Sequence, residues 1–276
     1  MPDQPFVEIE KQLCAASDGR MRVLGIRRTG QHAIIGWILR NCGRENTVFL
    51  NSCTMRRSAV RTCGQSELDG VFAGKSHTLK KALTAYLEPD KHPFVLISYE
   101  AGFEAGELTS NFPDSSFDHE ILVTRSFANW LPSFIRLMRV MNRTSAPEAL
   151  DISNGIVFEM MRYKAHILAA QASSHVVVCF DEWATSANYR HHKLETLGLT
   201  EVSAGLGAVQ KYGGGSSFSA FDLPAEELAL TTRWQSMKND PFALHFLRIA
   251  RADTDFMSAL AGLYPDDIPI LDELLS

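Results

Sequence analysis

The sequence predicts an α/β fold, a three-layer α/β/α arrangement with a central parallel sheet, and two observations lead to this prediction. Short apolar segments alternate along the chain with longer segments of helical periodicity, as in strands joined by crossover helices. The strand-like segments are apolar at nearly every position, which is typical of strands covered on both faces. The 276 residues are 45% hydrophobic and 21% charged. We therefore expect one soluble domain spanning residues 1–276, with a single large core.

The first predicted unit is a strand, a tight turn and an amphipathic helix within Met21–Asn41. The apolar segment Val23–Ile26 predicts a buried strand. Gly30 permits the turn, and the apolar spacing that follows predicts a helix starting near Thr29. Backbone N–H groups at the start of such a helix lack partners within the helix.

The turn is basic, because Arg27 and Arg28 precede the glycine. Two guanidinium groups beside a helix N-terminus predict a phosphate- or sulfate-binding site. The same strand, turn and helix also occur in α/β domains without a ligand, so a purely structural role stays open. The turn lacks the paired glycines and the Gly-Lys-Ser/Thr ending of a Walker A loop. A magnesium-nucleotide enzyme is therefore not the first expectation.

The remaining elements are predicted from the spacing of apolar residues and from the glycine, proline and other turn residues between them. The other predicted strands are Thr47–Asn51, Phe94–Tyr99, Glu120–Thr124 and His175–Phe180. The predicted helices are a short one near Val7–Ala16 in the polar lead-in 1–20, His77–Leu87, Phe127–Val140, Ala149–Ala172, one short helix within Asp181–Leu199, and C-terminal helices over 226–276 packed on the core. The predicted loops are Ser52–Ser66, Ala101–Asp118 and Lys211–Phe221.

Several polar residues directly follow predicted strands. Ligands of parallel α/β sheets bind outside the carboxyl ends of the strands. This rule brings together the turn Arg27–His32, Glu100, Arg125 and Asp181. Asp181 either serves a ligand or caps the helix that follows it.

Net charge and amino-acid composition indicate which kinds of ligand the protein can bind. The net charge of −5 and the pI near 6.0 argue against a general nucleic-acid binder, although basic residues crowd the first quarter of the chain. This distribution favours a small anionic ligand. The five scattered cysteines suggest free thiols and no zinc site; they are Cys14, Cys42, Cys53, Cys63 and Cys179. With neither a signal peptide nor a long apolar segment in the sequence, we expect a cytoplasmic protein without a membrane span.

Two motifs together resemble a known family. Arg125 follows a predicted strand and precedes Ser133 by eight residues, and the basic turn reads RRTGQHA over Arg27–Ala33. Their order and spacing resemble those of sulfotransferases that use 3′-phosphoadenosine 5′-phosphosulfate (PAPS). The likeness covers roughly residues 20–240 in element order.

The resemblance implies a P-loop NTPase-like (sulfotransferase) architecture, with the first turn on the 5′-phosphosulfate and the Arg and Ser on the 3′-phosphate. Arg28, Thr29 and Gly30 match the basic, hydroxyl and glycine positions of the family's first motif. That motif has hydroxyl residues in place of Gln31 and His32 and an aromatic residue in place of Ala33. The donor-binding residues implied are Arg27, Arg28, Thr29, Gly30, Gln31, His32, Ala33, Arg125 and Ser133, with Lys211, Gly214, Gly215, Ser216 and Ser217 of a late glycine–serine loop.

The resemblance also implies transfer of a sulfuryl group to a small-molecule or carbohydrate acceptor, leaving adenosine 3′,5′-bisphosphate. Arg28 is expected to neutralise charge on the leaving phosphate. No metal is expected, because the strand Glu120–Thr124 ends in Arg125 where a magnesium site favours aspartate. Glu100 and His32 are alternative bases for the acceptor hydroxyl or amine. Two other roles stay open: His32 could donate a hydrogen bond to the phosphosulfate, and Glu100 could be a solvated carboxylate without a catalytic role.

Two other classes of function remain open from the sequence. One is a divergent P-loop kinase or nucleotidase, and the other is a non-catalytic nucleotide-binding module, which the departures from the family pattern motivate. Arg56, Arg57 and Arg61 either line an acceptor site or solvate a loop. The adjacent His191 and His192 face different directions on a helix, which favours a solvated surface over a metal site.

Overall fold

The computed structural model describes residues 4–100, 112, 116–141, 149–172, 174–200, 202–203, 205–207 and 230–276. Seven strands in these ranges form one sheet. They are β1 Arg20–Gly25, β2 Thr47–Asn51, β3 Gln65–Leu68, β4 Val71–Phe72, β5 Phe94–Tyr99, β6 His119–Thr124 and β7 Val176–Cys179.

Eleven α-helices and two 3₁₀ helices, Thr84–Leu87 and Arg233–Met237, complete the described elements. The α-helices are α1 Gln4–Ala16, α2 Gln31–Asn41, α3 Ala59–Thr62, α4 Ser76–Leu83, α5 Phe127–Met141, α6 Ala149–Ala172, α7 Phe180–Thr185, α8 Ala187–Thr196, α9 Pro241–Ala252, α10 Thr254–Leu263 and α11 Asp267–Leu275. None of the helices in the described ranges is both long and apolar enough to cross a membrane.

The strand order across the sheet is β4-β3-β2-β5-β1-β6-β7. Strands β2, β5, β1, β6 and β7 are parallel. The prediction of a parallel sheet needs one correction, because β3 and β4 run antiparallel at one edge. They arise from a segment whose beginning was predicted to be loop, and β3 pairs with β2 through the polar sequence QSEL, in which no apolar run marks a strand.

Helices cover both faces of the sheet, which gives the predicted three-layer α/β/α fold. Alternate strand residues such as Leu24, Val95 and Ile97 pack on one face with apolar residues of α1, α3 and α4. Their neighbours, such as Val23 and Leu96, pack on the other face with α2, α7 and α8. A third apolar cluster joins α5 and α6 to the C-terminal helices α9, α10 and α11.

The chain order of the strands creates a crevice at the carboxyl edge of the sheet. After β1 the chain passes over β5 to form β2, whereas after β6 it continues in the opposite direction to β7. The connections that leave the neighbouring strands β1 and β6 therefore diverge, and ligands bind at such a switch point in open α/β sheets. The two segments that border the crevice are the turn after β1 and the residues that follow Thr124.

Several element bounds agree with prediction and others shift. Strands Thr47–Asn51 and Phe94–Tyr99 and helix Ala149–Ala172 were predicted with these bounds. Helix α2 begins at Gln31 rather than near Thr29, because the turn after β1 uses two left-handed residues before the helix starts. The segment predicted to hold one short helix before Leu199 contains both α7 and α8.

Candidate functional site

The turn between β1 and α2 is held in an unusual backbone conformation. Arg28 and Gly30 have φ values of 73° and 87°, in the left-handed region. The carbonyl of Ile26 accepts from the Thr29 hydroxyl at 2.8 Å, and the carbonyl of Arg27 accepts from Trp130 Nε1 at 2.8 Å. The carbonyl of Arg28 accepts from Arg125 Nη1 at 3.2 Å. Three successive carbonyls are thus bonded to protein donors, which fixes the turn; a left-handed non-glycine residue often marks a functional site.

The start of α2 presents backbone donors to the crevice. Gly30 is the N-cap of α2 and no side chain caps it. Within the described part of the chain the N–H groups of Gly30 and Gln31 have no acceptor. Such N–H groups at a helix N-terminus favour a bound anion.

The side chain of Gln31 adds an unusual feature beneath the turn. It is 3% exposed, and among the described residues neither its amide nitrogen nor its amide oxygen has a hydrogen-bond partner. A Cβ atom at Gly25 would lie 2.4 Å from Gln31 Oε1, so the glycine makes room for this amide. A buried polar group without a partner costs about 1–3 kcal/mol, and such groups are found at sites that bind a ligand or store strain.

Guanidinium groups converge at the switch point on one hydroxyl group. Arg28 Nε and Arg233 Nη1 each donate to Ser133 Oγ at 3.0 Å. Ser133 lies in the second turn of α5, and Arg233 begins the 3₁₀ helix that packs against α5. Arg125 bonds to the backbone of Arg28 and, at 2.6 Å, to the carbonyl of Leu230. We call Arg28, Arg125, Ser133 and Arg233 the arginine cluster.

The electrostatics of the arginine cluster favour an added negative charge. The pKa of Arg28 is lowered to about 10, mainly by burial and also by Arg125 and Arg136, while Glu100 opposes the shift. The pKa of Arg233 is lowered to about 8, mainly by burial and also by Arg125 and Arg28, while Asp181 opposes the shift. Guanidinium groups stay protonated at neutral pH. The direction of these shifts reflects the cost of holding the cations together away from water, and a bound anion would reduce that cost.

Two carboxylates hold the start of α5 next to Arg125. Asp181 accepts from the Ser126 amide at 2.7 Å and from Asn129 Nδ2 at 3.2 Å. Asp267, at the start of α11, accepts from the Ser126 hydroxyl and the Phe127 amide, both at 2.6 Å. These contacts give the first turn of α5 the anionic partners that a helix N-terminus favours.

The same turn of α5 connects to the arginine cluster. Asn129 Oδ1 accepts from the backbone amide of Arg233 at 2.9 Å. Asn129 also donates to Asp181, which in turn accepts from Ser126. A chain of hydrogen bonds therefore runs from the C-terminal helix α11 to the residue that contacts Ser133.

A second polar group lies at the carboxyl end of β2 and β5. His32 Nε2 is 3.1 Å from Asn51 Oδ1 and 3.4 Å from Glu100 Oε1. Asn51 Oδ1 also accepts from the Ser98 hydroxyl at 2.9 Å. Burial is the main cause that lowers the pKa of His32, so the ring is neutral at pH 7, although Glu100 and Asn51 oppose the shift. Because Asn51 presents an oxygen, Nε2 carries the hydrogen and donates it.

The structure brings together most of the residues singled out in the sequence. Glu100 lies beside His32, and Arg125 and Ser133 both contact Arg28. The side chain of Arg27 is exposed and Ala33 is half-buried. Thr29 is fully buried, and its hydroxyl hydrogen is used by the carbonyl of Ile26. Lys211, Gly214, Gly215, Ser216 and Ser217 lie outside the described residues.

Asp181 and the histidine pair were also weighed in the sequence. Asp181 caps α5 rather than the helix in which it lies. His191 and His192 are exposed and both lie near Glu195, which agrees with a solvated surface. The described residues contain no group of three or more His, Cys, Asp or Glu side chains arranged to hold a metal ion.

Three residues that contribute contacts to the site were not predicted from the sequence. Arg233 and Asp267 are separated from Arg125 by more than 100 residues and belong to no motif, so only the fold reveals their contacts. Asn51 ends a predicted strand at the carboxyl edge of the sheet, in the same position as Glu100. The strand-end rule that selected Glu100 would have selected Asn51 too.

Comparisons with known proteins leave the site to be interpreted from its own geometry. No family model matches the chain, no curated protein matches it, and no solved structure matches it.

Proposed function

We propose that this protein is a sulfotransferase that moves a sulfuryl group from PAPS to a hydroxyl or amine of a small-molecule or carbohydrate acceptor. The observation that carries the proposal is the convergence of Arg28 and Arg233 on Ser133, beside Arg125, at the switch point of the sheet. Arg125 and Ser133 are also the residues on which the resemblance to PAPS-dependent sulfotransferases rests. Their common contact with Arg28 supports a shared role in binding one anionic group.

PAPS carries anionic groups at two ends, and the site offers two places for them. The arginine cluster would bind the 3′-phosphate, because three guanidinium groups meet there with a hydroxyl. Ser133 Oγ accepts the hydrogen bonds from Arg28 and Arg233 through its lone pairs, which leaves its O–H to donate to a phosphate. The 5′-phosphosulfate would then lie over Gly30 and Gln31, whose backbone amides have no acceptor among the described residues. Arg28 reaches toward Ser133, so its charge would serve the 3′-phosphate end as well as the leaving phosphate.

The transfer itself requires no redox change. The acceptor oxygen or nitrogen forms a bond to sulfur while the bond between sulfur and the bridging oxygen of the 5′-phosphate breaks. The leaving oxygen keeps the electron pair, and the product nucleotide is adenosine 3′,5′-bisphosphate. Fixed cations and backbone amides stabilise the charge that develops on that oxygen, which is the principal contribution a protein can make to such a step.

The acceptor proton has two candidate bases, and the hydrogen bonds favour Glu100. His32 Nε2 donates toward Asn51 and Glu100, so this nitrogen is not available to take a proton. Glu100 is 28% exposed and the carbonyl of its own residue accepts from Arg162 at 3.4 Å, which anchors it at the mouth of the crevice. In this proposal His32 orients Glu100 and Glu100 removes the proton.

The assignment of the base predicts a specific kinetic defect. Glu100→Gln should lower kcat by roughly 10²–10⁴-fold, the usual contribution of general-base catalysis. The dissociation constant for adenosine 3′,5′-bisphosphate should change less than threefold, because Glu100 is not part of the arginine cluster. Steady-state kinetics with labelled PAPS and calorimetry measure the two quantities. Unchanged kcat in this variant would exclude Glu100 as the base.

Two alternatives to a sulfotransferase remain. One is a magnesium-dependent kinase or nucleotidase, and the other is a non-catalytic nucleotide-binding module. The binding module is considered because Gln31, His32 and Ala33 differ from the sulfotransferase pattern. Calorimetric titration of the purified protein with adenosine 3′,5′-bisphosphate and with ATP, each with and without magnesium, separates these classes.

A sulfotransferase should bind the bisphosphate at micromolar concentration without magnesium and should transfer sulfuryl groups to at least one member of a broad acceptor panel. Tighter binding of ATP in the presence of magnesium would select a kinase. Bisphosphate binding without turnover across the panel would select a binding module. No heat signal with millimolar bisphosphate would refute the proposal.

A further inference from the structure

A groove of about 400 Å³ is lined by residues of α5, of the 3₁₀ helix Arg233–Met237 and of the start of α9. Its floor is apolar and is formed by Pro132, Ile135, Met237 and Ala243. Ligand pockets are mostly apolar with a few charged groups, and their volumes begin near 300 Å³. The groove is therefore large enough for at least one ring system.

The groove and the arginine cluster are built from the same two elements. On α5, Ser133 precedes the groove residue Arg136 by three residues, or ~4.5 Å along the helix axis. On the 3₁₀ helix, Arg233 precedes the groove residue Ser236 by three residues, or ~6 Å. A ligand anchored at Ser133 would reach the groove within the length of one sugar ring.

Charge at the rim of the groove matches an anionic ligand. Arg136 is exposed at the rim, and its charge lowers the pKa of both Arg28 and Arg233. Arg139 and Asp240 also line the groove, and they form a two-point ion pair with distances of 2.8 Å and 3.2 Å, so their charges offset each other. Arg136 is therefore the lining residue whose positive charge adds to that of the arginine cluster.

We propose that this groove binds the flat apolar part of the same ligand whose anionic group occupies the arginine cluster. The ligand class is a phosphate or sulfate ester of an aromatic or similarly flat apolar group. The identity of that group rests on the proposed function, under which it is the adenine base of the donor. The existence of the groove subsite rests only on the apolar floor, its size and its continuity with the cluster.

The test uses two probes that differ only in an apolar ring, inorganic phosphate and phenyl phosphate. Calorimetry should show that the wild-type protein binds phenyl phosphate at least tenfold more tightly than inorganic phosphate. Ser236→Trp and Val140→Trp fill the groove from its two walls, and both positions are exposed, so the core is untouched. Each variant should lose the preference for phenyl phosphate and keep the wild-type affinity for inorganic phosphate. Thr196→Trp, an exposed substitution on α8, is the control and should keep the preference.

Each other outcome overturns the groove subsite or separates it from the proposed function. The subsite is overturned by any of three results: the wild type binds both probes equally tightly, it binds neither probe, or both filled variants keep the preference for phenyl phosphate. Loss of inorganic phosphate binding in both variants also overturns it, because the groove would then be part of the anion site. If phenyl phosphate behaves as expected while adenosine 3′,5′-bisphosphate does not bind, the subsite stands and the sulfotransferase proposal fails.

Discussion

Individual residues of the arginine cluster illustrate a conflict between stability and binding. Burial lowers the pKa of Arg28, Arg125 and Arg233, and repulsion from neighbouring arginines adds to the shifts of Arg28 and Arg233. Arg125 also stacks over the ring of Phe180, with 4.7 Å between its guanidinium carbon and the ring centroid. Strained or electrostatically unfavourable groups persist where function requires them. An anion bound in the cluster, as we propose, would resolve this conflict.

Arg233 provides the sharpest test at this scale, because it contacts Ser133 and has no counterpart in the motifs of the sequence. Arg233→Gln should weaken binding of adenosine 3′,5′-bisphosphate about 10- to 150-fold, since a charge-assisted hydrogen bond contributes ~1.5–3 kcal/mol. Calorimetric titration measures the change. Arg44→Gln is the matched control, because Arg44 is exposed and paired with Asp18. An equal loss in both variants would show that only net charge matters.

At the scale of secondary-structure elements, the turn before α2 packs closely against the start of α7. A Cβ atom at Gly30 would lie 2.2 Å from Phe180 Cδ2, a separation that no packed structure accepts. Gly43, after α2, also has a left-handed φ value, 64°, but a Cβ there meets nothing within 4 Å. The two glycines therefore share a backbone requirement and differ in packing.

This difference predicts two unequal substitutions. Gly43→Ala should cost about 1–2 kcal/mol of unfolding free energy from backbone strain alone. Gly30→Ala should cost at least ~1 kcal/mol more, because overpacking against the ring of Phe180 adds to the strain. Chemical denaturation measures both values. Equal costs would mean that the ring of Phe180 moves freely, and that the turn is held less tightly than its hydrogen bonds indicate.

Elements also show what the sequence could and could not predict. Strands β2 and β5 were predicted with their observed bounds because their apolar runs end at turn residues. The edge hairpin was missed because β3 is short and polar and β4 has only two residues, so their pairing with each other and with β2 defines them as strands. The basic turn and the Arg125–Ser133 pair carried enough local pattern to be found. The contacts of Arg233, Asn129 and Asp267 depend on chain reversals that no local pattern encodes.

At the scale of the whole molecule, Asp267 ties the C-terminal helix α11 to the crevice. Burial is the main cause that raises its pKa to about 7, with a smaller contribution from Asp181, while hydrogen bonds from Ser126 and from the amides of Phe127 and Ala128 lower it. The pKa of an unfolded aspartate is about 3.9. The folded protein therefore holds a proton that the unfolded chain releases between about pH 4 and pH 7. The stability that this group contributes is fully present below pH 4 and is lost as the pH rises to 7.

Asp267→Asn should remove this dependence, because the amide resembles the protonated acid and does not titrate. The variant and the wild type should have similar unfolding free energies near pH 4, and the variant should gain relative to the wild type as the pH rises to 7.5. Denaturant unfolding at several pH values measures the difference, in which titrations common to both proteins, such as that of His166, cancel. A difference that is independent of pH, or that decreases toward pH 7.5, would contradict the raised pKa of Asp267.

The proposed function requires that the crevice between β1 and β6 binds a ligand with two anionic ends. A crystal structure of the protein with adenosine 3′,5′-bisphosphate tests this claim most directly. We expect the 3′-phosphate within hydrogen-bond distance of Ser133 Oγ and Arg233, and the 5′-phosphate over the backbone amides of Gly30 and Gln31. A bisphosphate bound elsewhere, with the arginine cluster unchanged and unoccupied, would contradict the claim.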